Sequence, residues 1–271
     1  SADGRRTVKT AQTLIKQRNA LENFREYNII ERMAYDFRNF IYRGVKLVRS
    51  DFEPEWVEQY IGRKPAVVME FGSYDAGDAA NYRYHFPKAT IYSVEACKER
   101  FKVISGYIDK FDVSIFNYAM CDYDGEIEFY QAKDPNVMDN YSMYGSSGSI
   151  NQKTNLYKAN WPHVKEQSPI KTPCRRLDTL CKEEGIEHID FLHVDVEGAE
   201  HKVVAGFGEL RPSILWLEAH VGKHFYGEEA YDRDELNEQV VSMGYHRVDL
   251  AEEGADILYV HEKDYTGPGY A

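Results

Sequence analysis

Short apolar runs alternate with polar stretches of helical pattern from residue 65 to the end of the chain. The runs have the length of buried strands, and glycine or proline punctuates several of them. Strands are predicted at residues 66–71, 90–95, 113–118, 127–130, 189–194, 214–218, 245–249 and 257–260. Helices are predicted at about 78–86, 97–109, 198–205 and 232–243.

This alternation of strands and helices predicts an α/β fold with a doubly wound, mostly parallel sheet. The last two strands are separated only by residues 250–255. A connection this short predicts an antiparallel hairpin at one edge of the sheet. The sequence contains no internal repeat.

Residues 1–64 have a different character and are predicted to form an N-terminal helical extension, with residues 65–271 as the main domain. Apolar residues at three-to-four spacing predict an amphipathic helix. These residues are Ile30, Met33, Phe37, Phe40 and Ile41. The first fifty residues carry a net charge of +6. This segment is either a helical appendage whose basic face lies near the acidic main domain, or an anchor for an anionic surface or partner. Glu and Asp residues interrupt the basic face, which favours the appendage.

A long insertion at residues 131–173 is rich in proline, serine and glycine and lacks a clear periodic pattern. Structureless insertions of this length are more often functional than accidental, and this one is predicted to emerge near the carboxyl ends of the strands. We therefore expect an acceptor lid. Its aromatic residues either stack on a sugar ring or pack on one another. They are Tyr141, Tyr144, Tyr157 and Trp161.

Composition narrows the class of protein. The 271 residues are 43% hydrophobic and 29% charged, which is typical of a folded globular chain. A net charge of −12 argues against a nucleic-acid partner, and no apolar run approaches the ~18 residues of a membrane span. Four cysteines without a signal-like N-terminus predict reduced thiols and a cytoplasmic location. The sequence makes no prediction of oligomeric state.

A glycine follows the first predicted strand, in the stretch Glu70-Phe71-Gly72. Glycine lets the backbone turn sharply and approach a ligand, and the next helix offers free N–H groups to it. Glu95 ends the following strand, where a carboxylate can accept both hydroxyls of a ribose. Together these residues favour a nucleoside-binding site.

Acidic residues also follow two later strands. Asp195, Glu197 and Glu200 come after the strand at 189–194, and Glu218 and His220 end the next. Buried acids destabilise a fold unless they meet a cation or a donor. Asp195, Glu218 and His220 are therefore candidate catalytic residues, and Asp195 with Glu218 are candidate ligands of Mg²⁺ or Mn²⁺.

Five segments carry a resemblance to the FkbM-type family of S-adenosylmethionine-dependent methyltransferases. They are EFGSYDAGDA (70–79), FPKATIYSVEA (86–96), FNYAMCDYDGEIEFY (116–130), RRLDTLCKEEGIEHIDFLHVDVEGAEHKVVAG (175–206) and ILWLEAH (214–220). The resemblance covers about residues 65–260 and implies a seven-stranded Rossmann-like methyltransferase sheet that binds S-adenosylmethionine.

The resemblance also implies roles for individual residues in binding S-adenosylmethionine. The Gly72 loop surrounds the methionine, Glu95 holds the ribose, and the turn at 119–122 borders the adenine. The implied binding residues are Glu70, Gly72, Ser73, Asp75, Asp78, Glu95, Ala96, Ala119 and Asp122. The chain departs from the family at three positions, where family members usually have glycine, proline and lysine. Those positions are Ala76, Ala96 and His193.

We therefore expect an enzyme that transfers a methyl group from S-adenosylmethionine to a hydroxyl, on a sugar, glycan or other small molecule. Two alternatives remain from the residues themselves. One is a metal-dependent glycosyltransferase that uses the acid-x-acid stretch Asp195-Val196-Glu197. The other is a non-catalytic glycan-binding module.

Overall fold

The computed structural model describes residues 54–106, 108–133, 147–219, 225–227, 231–248 and 256–265. The helix predicted near residue 35, Tyr141, Tyr144 and His220 lie outside them. The helices are α1 (Pro54–Ile61), α2 (Gly77–His85), α3 (Lys98–Ser105), α4 (Asn155–Asn160), α5 (Leu177–Glu184), α6 (Glu200–Ala205) and α7 (Arg233–Ser242). Among the described residues, no helix is both long and apolar enough to cross a membrane.

Twelve strands are described, and seven of them form the main sheet. The strands are β1 (Val67–Phe71), β2 (Thr90–Val94), β3 (Val113–Phe116), β4 (Ala119–Met120), β5 (Gly125–Phe129), β6 (Ala132–Lys133), β7 (Lys165–Glu166), β8 (Ile170–Arg175), β9 (Phe191–Val194), β10 (Ile214–Glu218), β11 (Tyr245–Val248) and β12 (Asp256–His261). The order in the main sheet is β11-β12-β10-β9-β1-β2-β3. Strands β3, β2, β1, β9 and β10 are parallel, so the prediction of a mostly parallel seven-stranded sheet is confirmed.

The antiparallel hairpin at the edge is also confirmed. Strand β12 pairs antiparallel with both β10 and β11, so the last strand lies inside the sheet and β11 forms its edge. The buried strand β12 has the pattern of a central strand, with five of its six residues buried.

The sheet is covered on both faces, as a doubly wound fold requires. Successive strand residues point to opposite faces, and Met69, Leu192 and Leu215 are register partners on one of them. Their side chains join the largest core cluster, to which α5, α6 and α7 contribute. On the other face, the Tyr82 ring of α2 packs edge-on against Phe191. All four cysteines are buried free thiols.

Two features of local structure differ from what the sequence predicts. The insertion at 131–173 is not structureless, because its described part contains β6, α4, β7 and the start of β8. Helix α5 was missed because only eight residues of helical pattern follow directly on β8. The strand predicted at 127–130 is present as β5, and it belongs to a separate three-stranded sheet with the order β4-β8-β5.

Candidate active site

A cleft opens at the carboxyl ends of β1, β2 and β9, where open parallel sheets bind ligands. The empty space between its walls, open solvent at its mouth included, is about 640 Å³. Residues from six separate stretches of the chain form its wall. They include Gly72, Tyr74, Glu95, Ala96, Arg100, Tyr118, Ala119, Met120, Gln131, Gly148, Ile150 and Asp195.

Glu95 presents a preorganised carboxylate to this cleft. Its two oxygens accept the backbone N–H groups of Cys97 at 2.7 Å and of Tyr74 at 2.9 Å. Burial raises the pKa of Glu95 to about 7, and these two N–H groups and the Arg100 guanidinium oppose the rise. Each oxygen keeps a lone pair for a further donor. These two acceptor oxygens fit the two donating hydroxyls of a ribose, so the site fits S-adenosylmethionine.

Gly72 has a second role besides its position in the cleft wall. Its φ angle is +89°, a conformation that side chains other than glycine rarely adopt. A Cβ atom at this position would also overlap the backbone carbonyl oxygen of Asp195. The glycine is therefore required first for the contact between the loops after β1 and β9, and then for the open wall of the cleft.

The structure brings only some of the implied cofactor residues into the cleft. Gly72, Glu95, Ala96 and Ala119 line it. Five others lie outside its wall and remain predictions as ligand-binding residues: Glu70, Ser73, Asp75, Asp78 and Asp122. Asp75 instead accepts the backbone N–H of Gly77 at 2.9 Å and so shapes the start of α2.

Asp195 and Glu218 form a carboxyl pair at the carboxyl ends of β9 and β10. These strands are parallel neighbours, as predicted. Burial raises the pKa values of both groups well above their ordinary range; repulsion from Glu218 adds to the rise at Asp195, and repulsion from Glu197 and Glu200 adds to the rise at Glu218. Glu200 joins them, since one oxygen from each of the three residues lies within 4.8 Å of the others. Asp195 alone of the three lies in the cleft wall.

The described part of the insertion forms hydrogen bonds with the turn that follows Asp195. Ser149 Oγ donates to the carbonyl of Glu197 at 2.7 Å, and Asn151 Nδ2 donates to that of Gly198 at 2.6 Å. The Tyr226 hydroxyl donates to the Glu197 carboxylate. Glu197 has a φ of +58°, so these bonds hold a strained backbone. Glu197 is not one of the three acids whose oxygens converge at this point, which are Asp195, Glu200 and Glu218.

The described aromatic residues of the insertion pack on one another. The Tyr157 and Trp161 rings lie 4.7 Å apart, and Phe225 lies 5.1 Å from Trp161. Tyr157 and Tyr226 are buried in the same small cluster. Of the two interpretations, self-packing therefore holds for Tyr157 and Trp161.

Sequence reasoning missed several residues of the cleft wall. The Arg100 guanidinium is buried and lies 4.2 Å from the centre of the Tyr74 ring, which places a cation beside Glu95. Gln131 comes from the first residue of the insertion and bonds Glu99 at 2.5 Å. No local sequence signal points to Arg100 or to Gln131.

The fold and the cleft define a class of protein, an α/β domain that holds a nucleoside cofactor at its strand ends. A sequence profile of the FkbM methyltransferase domain matches residues 67–246, more than half of the chain. The chain therefore belongs to the FkbM family of S-adenosylmethionine-dependent methyltransferases, and the resemblance stated above is confirmed.

Individual relatives are more distant. The 2-O-methyltransferase NoeI of Sinorhizobium fredii strain NGR234 is 32% identical over 148 residues, which are 52% of this chain and 56% of NoeI. The chain thus spans about half the length of this curated relative. An O-methyltransferase family protein from Burkholderia thailandensis has a TM-score of 0.40 at 11% identity, over 94% of this chain and 70% of that one. The S-adenosylhomocysteine-bound methyltransferase PaMTH1 of Podospora anserina has a TM-score of 0.39 at 10% identity, over 91% and 96%.

Proposed function

We propose that this protein transfers the methyl group of S-adenosylmethionine to a hydroxyl oxygen of a sugar or glycan. The observation that carries the proposal is a cleft with Glu95 and Asp195 in its wall and with a carboxyl oxygen of Glu218 within 4.8 Å of one of Asp195. A ribose-binding carboxylate and a proton-accepting pair thus border the same space. The match to a 2-O-methyltransferase supports oxygen as the acceptor atom.

The carboxyl pair supplies the base that a hydroxyl needs. S-adenosylmethionine, when bound, supplies an already activated methyl group, so the protein has to align the acceptor and remove its proton. Asp195 and Glu218 share one proton, and their raised pKa values make the remaining negative charge a competent proton acceptor. Asp195 accepts the hydroxyl proton, and the neighbouring Glu218 stabilises the resulting acid.

The Asp195–Glu218 pair could also bind a divalent cation. Asp195 and Glu218, with Glu200 beside them, offer the carboxylate oxygens that Mg²⁺ or Mn²⁺ prefers. A cation there would relieve the repulsion that raises their pKa values and would lower the pKa of an acceptor hydroxyl. His220, outside the described residues, remains our predicted third ligand or alternative base.

The insertion is proposed to form the acceptor side of the site. Gly148 and Ile150 line the cleft, and Ser149 and Asn151 between and beside them hold the turn after Asp195. An acceptor that orders this segment would therefore also set the position of Asp195. We retain residues 65–271 as the transferase domain and residues 1–64 as its extension.

Incubation with methyl-labelled S-adenosylmethionine and a panel of sugars, nucleotide sugars and glycans tests the function. We expect label on a hydroxyl oxygen of at least one sugar-like acceptor, and its loss in Glu218→Gln. Activity that persists in excess EDTA would establish the metal-free pair, and activity restored only by Mg²⁺ or Mn²⁺ would establish the cation. Label found on nitrogen or carbon, with no O-methylated product, would contradict the proposal.

A further inference from the structure

A second group of metal-ligating side chains lies on the opposite side of β1 from the largest core cluster. Glu70 and His193 are register partners on the parallel strands β1 and β9, so they share a face of the sheet. Asp78 comes from the first turn of α2, which covers that face. One ligand atom from each of the three residues lies within 4.8 Å of the other two. The three come from three separate elements.

Hydrogen bonds from outside the group hold its side chains in place. The Tyr82 hydroxyl bonds Nδ1 of His193 at 2.9 Å, which leaves Nε2 as the ring nitrogen that can bind a metal. Ser93 Oγ donates to Oε2 of Glu70 at 2.6 Å, which leaves Oε1. Metal-binding side chains are commonly oriented by such outer bonds.

The carboxyl oxygens that face the centre of the group, Oε1 of Glu70 and those of Asp78, have no hydrogen-bond donor in the described part of the chain. Glu70 is only 2% exposed, yet no described residue donates to its Oε1. No described residue donates to the Asp78 carboxylate or forms an ion pair with either acid. Buried carboxylates without a donor or cation are strongly destabilising. The site thus has a deficit of positive charge at its centre.

The chemistry of the three side chains selects the class of ion. One imidazole nitrogen and two carboxyl groups are a ligand set for a divalent ion of the first transition row, and the imidazole disfavours Mg²⁺ and Ca²⁺.

We propose that Glu70, Asp78 and His193 bind one divalent transition-metal ion, with Zn²⁺ as the test ion. The site joins β1, β9 and α2 directly beneath the Gly72 loop, so the ion stabilises the frame of the cofactor cleft. It is separate from the Asp195–Glu218 pair and does not depend on the proposed function.

Zinc binding to the metal-stripped full-length chain tests the proposal by titration calorimetry without S-adenosylmethionine. The informative variants are His193→Gln and Asp78→Asn. His246→Gln is the matched control, because His246 is an exposed histidine on β11. Glu218→Gln separates this site from the carboxyl pair.

We expect the wild type to bind one equivalent of zinc, and His246→Gln and Glu218→Gln to bind it with the same affinity. His193→Gln and Asp78→Asn should bind zinc at least 100-fold more weakly. Tyr82→Phe keeps all three ligands and should weaken zinc binding about tenfold through loss of the outer bond. Zinc should raise the thermal midpoint of the wild type by about 5 °C at 100 times its Kd. His193→Lys should raise the midpoint without zinc and abolish the zinc effect, because its ammonium group occupies the cation position.

Equal zinc affinity in the wild type, His193→Gln and Asp78→Asn would overturn the proposal. So would an equivalent that disappears in Glu218→Gln but not in His193→Gln, since the ion would then belong to the carboxyl pair. If His193→Gln or Asp78→Asn fails to fold, Tyr82→Phe decides: zinc affinity equal to that of the wild type would overturn the proposal.

Discussion

Asp195 and Glu218 lie at the ends of two adjacent parallel strands with carboxyl oxygens within 4.8 Å of each other, and Asp195 is in the wall of the cleft. The arrangement follows from the topology, because parallel neighbours deliver their C-terminal residues to the same edge. Two acids this close cannot both ionise readily, so they hold a proton between them. This shared proton is what makes the pair suited to proton transfer.

The pair predicts the effect of Glu218→Gln. Removal of the second carboxyl should lower kcat at least 100-fold, because general-base catalysis contributes about 10²–10⁴-fold. Cofactor affinity should stay within twofold, because Glu218 lies outside the cleft wall. Steady-state kinetics and calorimetry measure the two effects, with the exposed Glu187→Gln as control. An unchanged kcat would exclude Glu218 from the reaction.

The pH profile of the reaction follows from the same pair. Because both pKa values are raised, the pair takes up a proton and loses its base form at a pH well above the range in which carboxyl groups ordinarily titrate. The rate kcat should therefore rise with pH through this raised pKa and then level off. In Glu218→Gln the remaining acid has lost its neighbour's repulsion, so the inflection should move to lower pH. An inflection that does not move would assign the titration to another group.

Gly72→Ala should destabilise the fold by about 3 kcal/mol or more. The substitution combines a strained positive φ with overlap of the Asp195 carbonyl. Gly185→Ala is the matched control: Gly185 also has a positive φ, of +68°, but a Cβ there meets no atom within 4 Å. It should lose only about 1 kcal/mol. Chemical denaturation measures both, and equal losses would mean that the loop contact contributes nothing.

Stability should depend on pH through Glu95. Burial raises its pKa from 4.5 to about 7, so the folded protein holds this proton more tightly than the unfolded chain. The contribution is complete below about pH 4.5 and is lost as pH rises through about 7. Over that range Glu95→Gln should gain about 3 kcal/mol relative to the wild type. Denaturation curves between pH 4 and 8 test this. If the difference in unfolding free energy between Glu95→Gln and the wild type is the same at every pH, burial does not raise the pKa of Glu95.

The prediction from sequence succeeded where a pattern has a single structural meaning. Apolar runs that alternate with helices gave the parallel sheet, and the acids at strand ends met because the topology brings those ends together. The position of Asp78 could not be predicted, since which face of α2 meets β1 depends on packing. Likewise, Tyr226 reaches Glu197 from a distant segment, and no local pattern reports such a contact. For Tyr157 the sequence allowed two interpretations, packing on neighbouring aromatic residues or stacking on a sugar ring, and only the tertiary structure could distinguish them.

Tyr226→Phe should impair acceptor use and leave cofactor binding intact. The change removes the hydroxyl that bonds the Glu197 carboxylate and keeps the buried ring. Loss of a hydrogen bond to a charged group corresponds to about 1.5–3 kcal/mol, or roughly 10–100-fold in kcat/KM for the acceptor. Tyr123→Phe, at an exposed position, is the control. Equal acceptor kinetics in both variants would separate Tyr226 from the acceptor site.

Calorimetric titration of S-adenosylmethionine into the wild type and Glu95→Ala tests the central claim most directly. The account predicts one cofactor per chain and affinity weakened about 10–100-fold in Glu95→Ala, because a carboxylate that accepts ribose hydroxyls is lost. The exposed Glu128→Ala should bind as the wild type does. Binding of a nucleotide sugar but not of S-adenosylmethionine, or equal cofactor affinity in Glu95→Ala and the wild type, would contradict the account.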